Sequence, residues 1–218
     1  MHITHLSWAH FGFLLQGALW TIALSLLAFL FGGIAGLGVA LARTSRHAWV
    51  RRISGLYVQV IQGTPLLIVM FLAYFGLSTL GFNLPAIVAA SLSIMVYAAA
   101  YLGEIWRGCI EAVPRTQWEA ADSLGFSRTH TMALVVIPQA LRIATPPTVG
   151  FMVQIIKNTS IASIVGFAEL TYTGKVINNS TFQPFLIYMI VGVIYFCLCY
   201  PLSRWSRVLE RRLHVGHR

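Results

Sequence analysis

The sequence predicts an all-α polytopic membrane protein with five transmembrane helices, and two observations lead to this fold class. Hydrophobic residues make up 57% of the chain and charged residues only 10%, a balance that ordinary soluble domains do not show. The hydrophobic residues also fall into long uncharged runs, and a helix needs about 20 apolar residues to cross a bilayer core. A chain of 218 residues therefore accommodates five such spans as one domain, 1–218, without a second soluble domain.

The first three spans follow from uncharged runs and from the turn residues that divide them. Span one is predicted at about 17–42, inside the first long uncharged run. Residues 53–103 are also uncharged, and as one helix they would measure about 75 Å, more than twice a bilayer core. This run must fold back, and Gly, Asn and Pro cluster at 76–85 as turn residues. Span two is therefore predicted at about 56–74 and span three at about 85–105.

Two local features of these spans carry structural expectations. Small residues recur every four positions in span one, at Ala28, Gly32, Gly36 and Ala40. Such a stripe lets two membrane helices approach closely, so tight helix packing is expected there. The triplet Gly63-Thr64-Pro65 is expected to break or kink the chain where it enters span two, with the Thr hydroxyl bonding freed backbone.

The remaining spans and the orientation follow from proline and charge. Span four is predicted at about 145–168, opened by Pro146-Pro147, which suit the first turn of a helix. Span five is predicted at about 184–202. All 15 Lys and Arg residues except Lys157 and Lys175 fall on one side of these spans, and the positive-inside rule makes that side cytoplasmic. The N-terminus is therefore expected outside and the C-terminus in the cytoplasm.

The cytoplasmic loop between spans three and four, residues 110–142, carries its own helix signals. Residues 117–124 favour helix, and Gly125 is well placed as a C-terminal cap with positive φ. Ser127 can cap a second short helix that ends before Pro138. Two short helices joined at a glycine are expected to form a compact protrusion at the membrane surface.

This loop resembles the membrane permeases of binding-protein-dependent ABC importers, in the branch that takes up polar amino acids. The family's EAA motif is matched in spacing by Glu119-Ala120-Ala121, Gly125 and Ile137-Pro138. A bare Glu-Ala-Ala is common in helices, but the ordered set in a five-span chain is specific. Further matching segments lie at 21–43, 63–66, 100–108, 137–142 and 157–160.

The resemblance implies that the loop, called the coupling loop below, sits in a surface cleft of a nucleotide-binding subunit. Its two short helices are then coupling helices. The residues to which the resemblance assigns ATPase coupling are Glu119, Ala120, Ala121, Gly125, Ile137 and Pro138. The alternative from the residues alone is a surface helix lying on lipid headgroups, which the basic residues of the loop would also allow.

The resemblance further implies the permease subunit of an ATP-driven amino acid importer in the bacterial inner membrane, working by alternating access. Its implied partners are two copies of a cytoplasmic ABC ATPase, a second permease chain that is identical or homologous, and an extracytoplasmic solute-binding protein. The other implied partners are membrane lipid and the amino acid substrate. ATP and Mg²⁺ would be bound by the ATPase, and no cofactor is expected in this chain.

Span four alone carries polar residues in mid-run, and these are the candidates for a substrate pathway. Gly150, Gln154, Lys157 and Ser160 lie within an arc of about 120° on a helix, with Asn158 beside them. A cation at this depth costs at least ~3 kcal/mol on insertion scales unless it is paired or hydrated. One face of span four is therefore expected to line a cavity filled by water or substrate.

The role of Lys157 stays open at this stage. It is the natural partner for a substrate carboxylate, but it could also pair with Glu104 or Glu169 inside the bundle, or snorkel outward. Asn158 stands where the family usually has Asp, and Phe151 where relatives that take basic amino acids often carry an acidic residue or Gln. These departures favour a neutral or acidic amino acid as the substrate.

Composition and motifs exclude several other classes. The net charge of +9 does not indicate a nucleic-acid partner, because the basic residues flank apolar runs. No P-loop, zinc or nucleophile-elbow motif occurs, so neither ATP hydrolysis nor other catalysis is expected here. Two rivals remain: an ATP-independent oligomeric carrier or channel with Lys157 as its ion site, and a polytopic membrane enzyme using Glu104 or Glu119.

Overall fold

In a computed structural model, residues 7–215 fold entirely into helices and their connections. Along the chain, long apolar helices are separated by shorter helices. We number the helices α1 Trp8–Arg43, α2 Ala48–Gln62, α3 Leu66–Thr79, α4 Ala86–Glu111, α5 Arg115–Ser123, α6 Arg128–Val165, α7 Leu170–Thr181 and α8 Pro184–Val215.

Four of these helices, α1, α4, α6 and α8, are long and apolar enough to cross a membrane. The pair formed by α2 and α3 is a fifth candidate if both helices together count as one span. The all-helical, polytopic membrane fold expected from the sequence is therefore confirmed.

Span two is not the single helix expected at 56–74. The chain bends by 100° between α2 and α3, at the triplet Gly63-Thr64-Pro65 where a break was expected. Proline cannot donate the backbone hydrogen bond that would continue α2. The Thr64 hydroxyl donates to the Val60 carbonyl at 2.7 Å, so the freed backbone acceptor is satisfied as predicted.

The helix expected to open at Pro146-Pro147 begins much earlier, at Arg128. Both prolines lie inside α6, and the second loop helix does not end before Pro138. A π-helical stretch precedes Pro138, which then occupies the first turn of the following α-helical segment, where a missing N–H costs little. Packing of Val136 and Ala140 against α4 holds this part of the helix in place.

Three smaller differences from the sequence expectation concern helix ends. Helix α4 continues past position 105 to Glu111, and α8 past position 202 to Val215. Helix α1 begins before position 17, at Trp8. The connection between α6 and α8 contains a further helix, α7. Arg218 and the first six residues lie outside the described part of the chain.

The tightest helix pair is α1 against α4, at the small-residue stripe. Ala28 and Ala40 are fully buried, and a Cβ added to Gly32 would lie 2.7 Å from the Ala98 Cβ. On α4, a Cβ added to Gly103 would lie 2.6 Å from a methyl group of Val39. The predicted close packing of span one is therefore observed, and the glycines are required for it.

Charged side chains join α1 and α4 at the end of this contact. Glu104 accepts from Arg107 at 2.6 Å and from the Arg43 Nε at 3.3 Å. Arg107 also pairs with Glu111. Glu104 and Arg107, three residues apart, thus pair along α4, and the interaction extends to a second helix through Arg43.

A buried carboxylate, Glu169, joins three other elements at the opposite end of the bundle. Its side chain caps α7 by accepting from the N–H groups of Thr171 and Tyr172 at 3.0 and 2.9 Å. The Tyr195 hydroxyl of α8 donates to it at 2.7 Å, and the Thr21 hydroxyl of α1 at 3.4 Å. Burial raises the pKa of the Glu169 carboxyl above its ordinary value, and these hydrogen bonds oppose that rise.

The α1–α4 contact yields a first prediction. Gly32→Val should lower the free energy of unfolding by about 1–3 kcal/mol, because the added side chain overpacks against Ala98. Gly38→Val on the same helix is the matched control, since nothing lies within 4 Å of a Cβ added there. Thermal unfolding of both variants in lipid nanodiscs measures the difference, and equal melting temperatures would contradict the assigned packing.

The Glu169 cluster yields a second prediction. Glu169→Gln should lower the melting temperature, because an amide nitrogen cannot accept the bonds that the carboxylate accepts, and unsatisfied buried groups cost about 1–3 kcal/mol each. Tyr195→Phe should have a smaller effect in the same direction. Tyr188→Phe, at an exposed position of α8, is the control and should leave the melting temperature unchanged.

Candidate functional site

The turn of the coupling loop is built around Gly125. This glycine has a φ of +75°, which side-chain-bearing residues rarely adopt. Its N–H donates to the Asp122 carbonyl at 2.9 Å, and the N–H of Phe126 donates to the Ala121 carbonyl at 3.1 Å. These two bonds form a Schellman motif, so α5 ends at the glycine cap that the sequence indicated.

The two helices that meet at this turn pack on a small apolar core of their own. Ser127 caps the start of α6 by accepting from the His130 N–H. The Gln139 side chain donates to the Gln117 side chain at 3.2 Å, across the two helices. The core residues are Ile110, Val113, Val136 and Ala140, with Trp118 and Met132 packed against them. Helix α5 is therefore fixed to both α4 and α6.

The predicted coupling residues fall into different environments. Glu119 and Ala120 are exposed on α5, whereas Ala121 is buried. Gly125 is exposed at the turn. Ile137 does not share that exposed surface, because it lines a groove between α1, α4 and α6. Pro138, the last member of the set, is exposed on α6.

Two large apolar side chains of the coupling loop are left uncovered by residues 7–215. Leu124 exposes 74% of its surface and Leu134 exposes 63%. Both residues lie in the coupling loop, well before the polar residues 150–160 of α6. Apolar exposure beside a polar residue such as Glu119 is typical of a surface that binds another protein.

The predicted pathway residues of α6 differ in their exposure. Gly150, Gln154 and Lys157 are exposed, Ser160 is half-buried, and Asn158 is buried. Polar groups in mid-span are costly against lipid tails. The exposed face of α6 therefore needs water, substrate or another chain beside it.

Neither carboxylate considered as a partner for Lys157 binds it. Glu104 is engaged by Arg43 and Arg107, and Glu169 by Tyr195 and backbone N–H groups. Among residues 7–215 no ion pair involves Lys157. Its ammonium group interacts electrostatically with the Cys199 thiol of α8.

Asn158 is the buried member of the predicted pathway residues. Gln154 donates to its side-chain oxygen at 3.2 Å, while the Asn158 amide nitrogen has no hydrogen-bond partner. Tyr97 of α4 lies beside it. A buried donor without a partner is rare in folded proteins, and a bound water, ion or solute would satisfy it.

An aromatic cluster next to Asn158 was not anticipated from the sequence. Tyr101 stacks on Phe151 with 5.5 Å between ring centroids, and Tyr97 lies 4.3 Å from Tyr101. Tyr97 and Tyr101 are four residues apart, so they share one face of α4. That spacing was the available signal, but it does not reveal which helix the face meets.

The chain is similar in sequence to known membrane permeases. The family model described as "Binding-protein-dependent transport system inner membrane component" matches residues 32–215. A probable amino-acid ABC transporter permease protein, YckA of Bacillus subtilis (strain 168), is 33% identical over 209 residues, covering 96% of this chain and 92% of that protein. The L-cystine transport system permease protein TcyB of the same strain is 36% identical over 198 residues, covering 90% and 85%.

A solved structure shares the fold as well as the sequence similarity. It is described as a crystal structure of an amino acid ABC transporter with histidines, and it superposes with a TM-score of 0.90 at 34% identity. The superposition covers 97% of this chain and 100% of that one. The family expected from the coupling-loop spacing is thereby confirmed. The chain belongs to the binding-protein-dependent transport system inner membrane components, and it is a multi-pass protein of a bacterial inner membrane.

Proposed function

We propose that this chain is the permease subunit of an ATP-driven amino acid importer, in which alternating access is powered by a separate nucleotide-binding subunit. The observation that carries the proposal is the continuity of α6. This helix begins in the coupling loop at Arg128 and runs without interruption past Lys157 and Asn158. About 40 Å of helix thus joins the proposed docking surface to the proposed pathway.

The docking surface is formed by the exposed part of α5 and the turn after it. Glu119 offers a charge-assisted hydrogen bond to a basic partner, and Ala120 permits close approach of another helix. Leu124 and Leu134 add exposed apolar area. Ala121 supports this surface from beneath rather than contacting the ATPase, because it is buried within the chain.

Transmission from this surface to the membrane depends on the small core of the coupling loop. Trp118 of α5 and Met132 of α6 pack on the same buried residues. A displacement of α5 is therefore passed to α6, which has no flexible connection before the pathway residues. In this scheme Ile137 and Pro138 act within the transmitting helix, not at the ATPase contact.

The assembly follows from the uncovered polar face of α6. A second permease chain, identical or homologous, would cover Gln154 and Lys157 and enclose the path. The N-terminus would lie outside and the C-terminus in the cytoplasm, with two ATPase copies binding ATP and Mg²⁺ beneath the pair. A solute-binding protein would deliver substrate at the outer face.

The substrate we propose is a neutral or acidic amino acid. Asn158 presents an unpartnered N–H donor, and Lys157 has no carboxylate partner among the described residues. Both groups suit a substrate carboxylate. Phe151 is buried and stacked on Tyr101, so this position supplies no anion for a cationic side chain.

Coupling is tested by Glu119→Lys and Gly125→Asp. Each should reduce ATP-driven uptake at least about tenfold, through loss of a charged contact or strain at a positive φ, while the chain still inserts at normal levels. Glu210→Lys, an equally exposed charge reversal on α8, is the control. Uptake into proteoliposomes is measured, and normal uptake by both coupling variants would refute the docking role.

Substrate class is tested by uptake of glutamine, glutamate and arginine in the same proteoliposomes, with ATP supplied or withheld. The wild-type complex should take up glutamine or glutamate only with ATP. Asn158→Asp should weaken glutamate uptake, because it places an anion near the substrate carboxylate, whereas Asn179→Asp at an exposed position of α7 should not. Saturable arginine uptake without competition from glutamine or glutamate would overturn the substrate assignment, and ATP-independent uptake would favour a carrier.

A further inference from the structure

An open apolar groove of about 330 Å³ is lined by residues of α1, α4 and α6. Gly33, Leu37 and Leu41 of α1 form one wall, and Trp106 forms the floor. From Gly33 to Leu41 the groove extends about 12 Å along the helix axis. Its lining is almost entirely hydrocarbon, so its occupant must be hydrocarbon as well.

Two details keep this groove open and apolar. The Trp106 indole nitrogen donates to the Thr148 hydroxyl at 2.9 Å, so its polar atom is satisfied within the bundle. A Cβ added to Gly33 would lie 3.7 Å from the far edge of the same indole ring. Gly33 therefore leaves space above Trp106 that a larger side chain would fill.

A basic cavity of about 410 Å³ adjoins the end of the groove. The two share Ile110 as a lining residue, and Leu41 of the groove stands two residues before Arg43 of the cavity. Four arginines line the cavity, with a single carboxylate, Glu111: Arg43, Arg46, Arg51 and Arg128. The cavity therefore has a strong excess of positive charge.

Existing bonds leave much of this charge uncompensated. Glu104 pairs with Arg43, and Glu111 pairs with Arg107 outside the cavity. Within the described residues, the Arg51 side chain donates to the backbone carbonyls of Ser45 and Arg46, at 2.7 and 3.0 Å. Arg128 likewise donates to a backbone carbonyl, at 3.4 Å.

Arg46 is the least engaged of the four arginines. Its side chain is exposed and makes no hydrogen bond or ion pair within residues 7–215. Arg46, Arg51 and Arg128 therefore line one cavity, and none of them forms an ion pair with a carboxylate among residues 7–215. Such a cluster is suited to a phosphate, which accepts several charge-assisted hydrogen bonds.

We infer that the groove and the basic cavity together bind one anionic phospholipid, with an acyl chain against Trp106 and the phosphate among Arg46, Arg51 and Arg128. A lipid fits because it alone has both an acyl chain for the apolar groove and a phosphate for the adjoining basic cavity. Inorganic phosphate would fill the cavity and leave the groove empty, and an acidic segment of a partner protein would do the same. The depth also fits, because the arginines lie just beyond the end of a membrane-crossing helix.

The bound lipid would occupy the junction between two parts of the chain. Arg46 lies in the α1–α2 connection and Arg51 in the first turn of α2, whereas Arg128 begins α6 at the coupling loop. Arg128 already contacts the Thr44 carbonyl across this junction. A phosphate held by all three arginines would add a second link at the same place.

The test measures lipid retained by the full chain, purified together with its partner subunits and offered equal amounts of phosphatidylglycerol and phosphatidylcholine with identical acyl chains. Native mass spectrometry counts each bound lipid. The wild-type protein should retain phosphatidylglycerol preferentially. Arg46→Gln combined with Arg51→Gln should lower that retention roughly tenfold or more, since one arginine near an anionic surface contributes about fivefold. Arg52→Gln, exposed on α2 and absent from the cavity, should change nothing.

Additional variants and a competition experiment distinguish a bound lipid from other bound anions. Gly33→Leu should reduce phosphatidylglycerol retention by blocking the groove, whereas Gly38→Leu should not. Excess inorganic phosphate should fail to displace the lipid. Equal retention of both lipids, displacement by phosphate, or loss of the lipid whenever the ATPase is bound would each overturn the inference. Arg46→Gln alone serves if the double variant does not fold, and it should reduce retention about fivefold.

Discussion

The structure depends first on the requirement that backbone polar groups be paired inside the helix that crosses the bilayer, because lipid offers them no partner. This requirement explains why α6 continues through Pro138, Pro146 and Pro147 instead of starting after them. The Pro146 carbonyl accepts from the Ser206 hydroxyl at 2.8 Å, which supplies one bond beyond the helix ladder. Where the chain does break, at Thr64, a side-chain hydroxyl takes over the freed carbonyl. Continuity of α6 then gives the coupling loop a rigid connection to the membrane interior.

Close contact of α1 with α4 sets the positions of the charged groups. Because Gly32, Gly36 and Gly103 bring the two backbones together, Arg43 reaches Glu104 at the end of the contact. Glu104 is thereby committed to structure, as Glu169 is at the other end of the bundle. Two of the few carboxylates in an otherwise basic chain are thus used to hold helices together.

Much of this arrangement could be predicted from the sequence, because it depends on residues that are close together in the chain. A four-residue stripe, a glycine after a helical run and a Glu–Arg pair three residues apart each report on neighbours along one helix. Thus the packing of Gly32 and the cap at Gly125 were both anticipated. The rest depends on contacts between distant segments. Glu169 meets Thr21 and Tyr195, and Phe151 meets Tyr101, and no spacing in the sequence encodes those pairings.

The contacts between distant segments also determine which polar groups are left without a partner. Once Glu104 and Glu169 are engaged elsewhere, Lys157 and the Asn158 amide remain as polar groups that the described bundle does not satisfy. A membrane helix retains such groups only at a cost, so the stability lost there must be recovered by something that binds. Asn158 is buried beside aromatic rings and Lys157 is exposed on the uncovered face of α6. In the proposed pathway, a zwitterionic solute entering between two permease chains would meet the exposed cation of Lys157 first and the buried amide of Asn158 second.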